Sequence, residues 1–159
     1  MRRALTLLAV LVVAVAGAAG CGGDTPSESR DAYGKDLAAA SRTLQRTFDD
    51  IAGKSTSSES GKQIGDRLER GAKALDDAAT RFADITPPAE VKGAHRKLVE
   101  GLHELAAVFR RGADAARRND TKSLTRALQG LADSDGVRKI TEAQRELQNA
   151  GIRVATTGS

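Results

Sequence analysis

Apolar residues return every three or four positions through most of this 159-residue chain, and that rhythm dictates helices that each bury one face. A first stripe runs Tyr33, Leu37, Ala40, Leu44, Phe48 and Ile51. A second runs Ile64, Leu68, Ala72, Leu75, Ala79, Phe82 and Ile85, and a third runs Val91, His95, Leu98, Leu102, Leu105, Phe109 and Ala113. No stretch competes with the period of two that a half-buried strand needs. The fold class is therefore all-α.

Punctuation between the stripes sets the element count. Thr25-Pro26-Ser27-Glu28 reads as a helix start, with Thr25 as cap and Pro26 in the first helical position. Gly53 reads as the stop. Lys54 to Ser60 is a polar, serine-rich loop in which either Thr56 with Glu59 or Ser60 with Gln63 caps the second helix. Thr86-Pro87-Pro88 forbids its continuation and opens the third, which closes on Arg117-Arg118 at the negative end of the helix dipole. Asn119-Asp120 caps a fourth segment. There Leu124, Leu128 and Leu131 share one face, whereas Val137, Ile140 and Leu147 fall roughly opposite at about 100° per residue. The phase breaks at Asp133-Ser134-Asp135-Gly136, so the segment is either kinked or split near Asp135-Gly136. A kink is preferred because the whole segment then matches the other three in length. Asn149-Ala150-Gly151-Ile152 reads as a glycine C-cap with its hydrophobic contact.

Long helices joined by short turns predict an up-down-up-down four-helix bundle over residues 25–154, with 155–159 as a disordered tail. In that layout the amino end, the Pro87-Pro88 turn and the carboxyl end share one pole. The serine-rich loop and the Arg117-to-Asp120 turn share the other, the pole most available to a partner. With no Trp, one Tyr and three Phe, the core must be built from aliphatic residues and many alanines, which makes it thin. Gly71 and Gly112 fall beside the stripes and permit closer packing. Gly65, Gly93 and Gly101 read as simple costs of about 1 kcal/mol each relative to Ala.

The amino end carries a different signal. Met1-Arg2-Arg3 precedes an apolar run from Ala4 to Ala16 that falls short of the roughly 20 residues of a stable membrane span. Gly17-Ala18-Ala19-Gly20 then leads to Cys21, the sole cysteine. The string Ala18-Ala19-Gly20-Cys21 resembles the lipobox of bacterial lipoproteins, with Ala18 where that family prefers a branched aliphatic residue. The resemblance covers only the first twenty-one residues. It implies a signal peptide over 1–20, cleavage before Cys21, fatty-acyl (palmitate-type) modification of its thiol, a tether over 21–24, and a place on the outer, extracytoplasmic face of the cell membrane. Two or three chains, at roughly 0.8 kcal/mol per buried methylene, anchor firmly where one does so marginally. Ala16-Gly17-Ala18 also satisfies the rule for ordinary secretory cleavage, which would leave Cys21 a free thiol. A lone cysteine makes no internal disulfide, and acylation removes an exposed thiol that is a liability outside the cell.

Removing Arg2 and Arg3 from 25 basic residues leaves 23 against 21 acidic ones, so the mature domain is close to neutral and nucleic-acid binding loses its electrostatic basis. His95 lies on the third stripe, where a packed histidine with one bonded nitrogen is the simplest reading and a ligand or pH switch the sharper one. Glu100 and His103 have the spacing of a ferritin-type iron ligand pair, but no second Glu-x-x-His exists and both sit off the apolar stripe. Neither a Cys-x-x-Cys nor a phosphate loop nor a nucleophile elbow occurs. Arg42, Arg46, Arg110, Arg111, Arg117, Arg118, Arg138 and Lys139 form basic spots interleaved with acids, read first as solvated faces. The sequence thus predicts no enzyme, cofactor or metal. It predicts a lipid-anchored module that binds an envelope protein, with lipidation at Cys21 and with His95, Arg117 and Arg118 as functional candidates. Two other readings stand beside it: a small-ligand or metal carrier using the core near His95, and a structural or stress envelope protein that holds lipid or wall polymer through its arginines.

Overall fold

The computed structural model describes residues 26–53 and 59–152, with side chains from Ser29 onward. The signal segment, Cys21 and its tether, the Thr25 cap, the Thr56 alternative and the tail lie outside the described residues. Within them the chain is all-helical: α1 (Pro26–Gly53), α2 (Gly61–Ala83), α3 (Lys92–Arg117), α4 (Thr121–Gln129) and α5 (Asp135–Asn149), with one 3-10 turn at Ala89–Val91 leading into α3.

Capping chemistry explains the boundaries. At the start of α2, the Ser60 hydroxyl accepts the Gln63 N–H at 3.3 Å while Gln63 Oε1 accepts the Ser60 N–H at 2.8 Å, a reciprocal capping box. α3 ends with Asn119 in the left-handed region (φ 55°), its N–H on the Ala116 carbonyl and the Asp120 N–H on that of Ala115, both at 2.9 Å. Asp120 then turns round to cap α4 by accepting the Ser123 N–H at 3.0 Å. The same left-handed closure recurs after α5, where Gly151 has φ 78° and Ile152 donates its N–H to Leu147 at 2.9 Å. The side chains of Ile152 and Leu147 are both fully buried, which is the hydrophobic contact expected of this motif.

The preference for a kinked fourth helix is corrected. α4 stops at Gln129, the chain turns through Gly130 to Asp133, and Ser134, extended at φ −66° and ψ 148°, starts a new helix by accepting the Val137 N–H at 3.3 Å. A serine followed by Asp135 in the first turn is a stronger helix start than the middle of a helix. The break lets Leu124 and Leu147 face the interior although they are out of phase on one continuous helix.

α3 is the central element. α2 packs along its length, antiparallel, with Gly61 beside Asn119 at one end and Phe82 beside His95 at the other. α4 and α5 lie against other parts of α3, α5 running antiparallel to it with Lys97 2.6 Å from Glu146 and Lys139 3.2 Å from Glu100. α1 packs mainly on α2.

Burial is uneven along the long axis. Tyr33, Leu37, Leu147 and Ile152 are fully buried, and they pack in one core with Phe82, Val91 and Leu98. Towards the other end the buried residues of α3 are Ala106, Val108, Gly112, Ala113, Ala115 and Ala116, all but one of them Ala or Gly, while Leu44, Phe48 and Phe109 are only half-buried. The two phenyl rings of that region meet edge to face, 5.9 Å apart.

The reading of Gly65 and Gly101 as simple costs is also corrected. A Cβ on Gly101 would lie 2.8 Å from the Gly136 carbonyl oxygen, and one on Gly136 would lie 2.7 Å from the Gly101 oxygen. Backbone meets backbone there, and each glycine is required by the other. A Cβ on Gly65 would lie 2.9 Å from the Ala113 carbonyl oxygen. Gly93 has open space around it and keeps its ordinary cost.

Candidate functional site: a groove between α3 and the α4–α5 junction

His95 sits in the first turn of α3 and is 7% exposed. The Tyr33 hydroxyl of α1 lies 2.8 Å from its Nδ1, and the ring bonds the backbone of Phe82 at the end of α2. A neutral imidazole has one N–H, and the Phe82 carbonyl, which also accepts the Ile85 N–H at 3.0 Å, can only accept, so Nδ1 accepts from Tyr33 and Nε2 donates to Phe82. Both nitrogens are used. Burial lowers the His95 pKa from its ordinary value, with the Phe82 bond opposing, and burial pushes the Tyr33 hydroxyl up to about 12. The exposed Arg30–Glu90 ion pair, at 2.7 Å, closes the same end. His95 is thus the tie between three helices.

Glu100 and His103 turn to different neighbours. Glu100 lies 3.2 Å from Lys139 of α5, and His103 Nδ1 lies 2.9 Å from Asp76 of α2. Asp76 also receives the Arg110 guanidinium. Burial alone would raise the Asp76 pKa, but the bonds from His103 and Arg110 hold it below the usual carboxylate value. Among the described residues no three His, Cys, Asp or Glu side chains converge as a metal site would require.

The two arginine candidates separate. Arg117 is committed within the fold, 3.2 Å from Asp66, 3.6 Å from Glu69 and 3.8 Å from Asp114. Arg118, the next residue, points to the other side of α3 and lines an open groove of about 680 Å³ between the second half of α3, α4 and the start of α5. Arg111 and Arg126 line it too. None of these three guanidinia lies within 4 Å of a carboxylate among the described residues; Arg118 and Arg126 act on the Asp120 cap only at longer range. Bonds to Ser123 and these two cations hold the half-buried Asp120 carboxyl below its usual range.

The acids of the groove wall are, by contrast, already engaged by cations outside it. Glu104 is 2.7 Å from Lys139, Asp135 is 2.8 Å from Arg138, and Asp114 is 3.8 Å from Arg117. The second Glu104 oxygen is shielded from solvent and has no hydrogen-bond partner. Between the guanidinia the floor is small and apolar, formed by Ala107, Val108 and Ala127. The recess thus sets three arginines that lack an ion pair over a small apolar base.

Sequence reasoning named Arg118 and placed Arg111 among the basic spots, but missed Arg126. No signal marked it, because the groove exists only where the fourth segment breaks. It missed Tyr33 as the partner of His95 for a similar reason, since the two are separated by 62 positions. No helix among the described residues is long and apolar enough to cross a membrane. Compared with known protein families, curated proteins and solved structures, the chain matches none.

Proposed function

We propose that this protein is a lipid-anchored, extracytoplasmic helical module that works by binding an envelope protein, and that it does so through the groove beside α3. The observation that carries the reading is the groove itself: a recess of about 680 Å³ whose three arginines form no ion pair within 4 Å among the described residues, while each acid of its wall already has one. A recess of that size belongs to the range of about 300–1,000 Å³ in which ligands are held. We further infer an up-down-up-down four-helix bundle in which α4 and α5 together make the fourth rod. The antiparallel contacts of α2 and α5 with α3 support it, as do the meeting of Tyr33 and Ile152 in one core and the bond of His95 to Tyr33. Acyl chains on Cys21 would hold that end of the bundle near the membrane and turn the groove end outwards.

Two measurements test the reading. Mass spectrometry of the native amino terminus is expected to find an acylated Cys21, and Cys21→Ala is expected to release the protein from the membrane fraction. A photo-crosslinker placed at Ala127 in cells is expected to capture one envelope protein that the same crosslinker at Lys73, on the exposed face of α2, does not. An unmodified Cys21, or identical capture from both positions, overturns the corresponding half.

A further inference from the structure

We propose that the groove between α3 and the α4–α5 junction binds an acidic peptide segment of the partner, with Arg111, Arg118 and Arg126 taking its carboxylates. The inference rests on the binding role given to the groove and adds the chemistry of what enters it. Arg111 and Arg118 are seven residues apart, two turns of α3, so their guanidinia stand on one face about 10 Å apart along the helix. Arg126 comes from the facing wall. Alternate residues of an extended segment share one face at steps of roughly 6.6 Å, so carboxylates two or four residues apart bracket that spacing within the reach of the long arginine stems. The planar guanidinium fork pairs with a carboxylate through two parallel bonds, which gives orientation as well as attraction.

Charge complementarity points to an acidic occupant because Glu104, Asp114 and Asp135 each already lie within 4 Å of a cation, whereas Arg111, Arg118 and Arg126 lie within 4 Å of no carboxylate among the described residues. The floor decides between occupants. A phosphate or a lipid headgroup would satisfy the guanidinia and leave Ala107, Val108 and Ala127 unused, whereas the small side chains and backbone of a peptide occupy both. Because the guanidinia are exposed and outside the ion-pair network of the fold, their replacement leaves the helices intact.

The test uses the full-length lipidated protein in detergent and a fluorescent peptide of alternating Glu and Ala, about twelve residues long, read by anisotropy at about 50 mM and about 300 mM NaCl. Binding is expected to weaken with salt, to be lost when Gln replaces Glu in the peptide, and to fall roughly tenfold or more in the Arg111→Ala, Arg118→Ala, Arg126→Ala protein. Arg42→Ala with Arg46→Ala, on α1, is expected to change nothing. Circular dichroism confirms that the variants keep their helices. Displacement of the peptide by millimolar inorganic phosphate, or cosedimentation with phosphatidylglycerol vesicles that needs the same three arginines, overturns the proposal in favour of phosphate chemistry. Absence of peptide binding overturns it as well. Should the Ala127 crosslinker still capture one partner in that case, protein binding stands and only the acidic-segment inference falls.

Discussion

The hydrogen bond between Tyr33 and His95 is the most consequential contact between single residues, because it joins helices far apart in sequence at the best-buried end. Tyr33→Phe keeps the ring and removes the donor, leaving Nδ1 of a buried imidazole unsatisfied, and is expected to cost about 1–2 kcal/mol in urea denaturation. The pH dependence follows from the directions of the shifts. Folded His95 releases its proton more readily than it does in the unfolded chain, so its contribution is complete above the ordinary value of 6.5 and is lost as pH falls below it. Folded Tyr33 holds its proton more tightly, so its contribution is complete below 10 and is lost as pH rises towards about 12. Melting temperatures are expected to fall on both sides, with the acid limb flattened in His95→Gln. Periodicity revealed that His95 faces inwards; it carried no information on which hydroxyl would meet it, since pairing across 62 positions is settled by the register of three helices together.

At the scale of elements, helix ends were far more legible than helix crossings. Gly151 with Ile152, and Ser60 with Gln63 as one of two candidate boxes, were legible because caps are local chemistry, satisfied within a few residues. The split at Ser134 showed only as a phase change, since a kink and a break leave the same mark on an apolar pattern. Close approaches were legible only where a glycine falls beside a stripe, as Gly71 and Gly112 do against Phe109 and Leu68; Gly93 and Gly101 occupy the same helix and differ only in what lies opposite. Gly93→Ala is expected to stabilise the protein by roughly 0.5–1 kcal/mol through helix propensity. Gly101→Ala is expected to destabilise it by about 1–3 kcal/mol despite the same propensity gain, because the methyl meets the Gly136 carbonyl and must push α5 away. Thermal melts of the two variants should therefore move in opposite directions. Ser134→Ala removes the cap of α5 and is expected to cost about 1 kcal/mol by the same assay.

Across the whole molecule, order should follow the gradient of burial. Hydrogen exchange is expected to be slowest in the buried middle of α3, around Leu98, Leu102 and Ala106, and fastest in α4, which has no fully buried residue, and in the half of α1 beyond Leu44. Equal protection of α3 and α4 would contradict the gradient. The all-helical character was legible because several stripes agree on one period. The groove was not, for it is a property of the gap between α3 and a broken neighbour, and no single segment encodes it. The contact between Gly101 and Gly136 also fixes where the chain tolerates a change of length. An extra residue among 130–133 is absorbed by the turn ahead of the Ser134 cap, whereas one placed between the cap and Gly136 would rotate all of α5 by about 100° and carry Leu147 out of the interior. Insertions and deletions among descendants of this sequence are therefore expected to collect in that four-residue bend and to halt at Ser134.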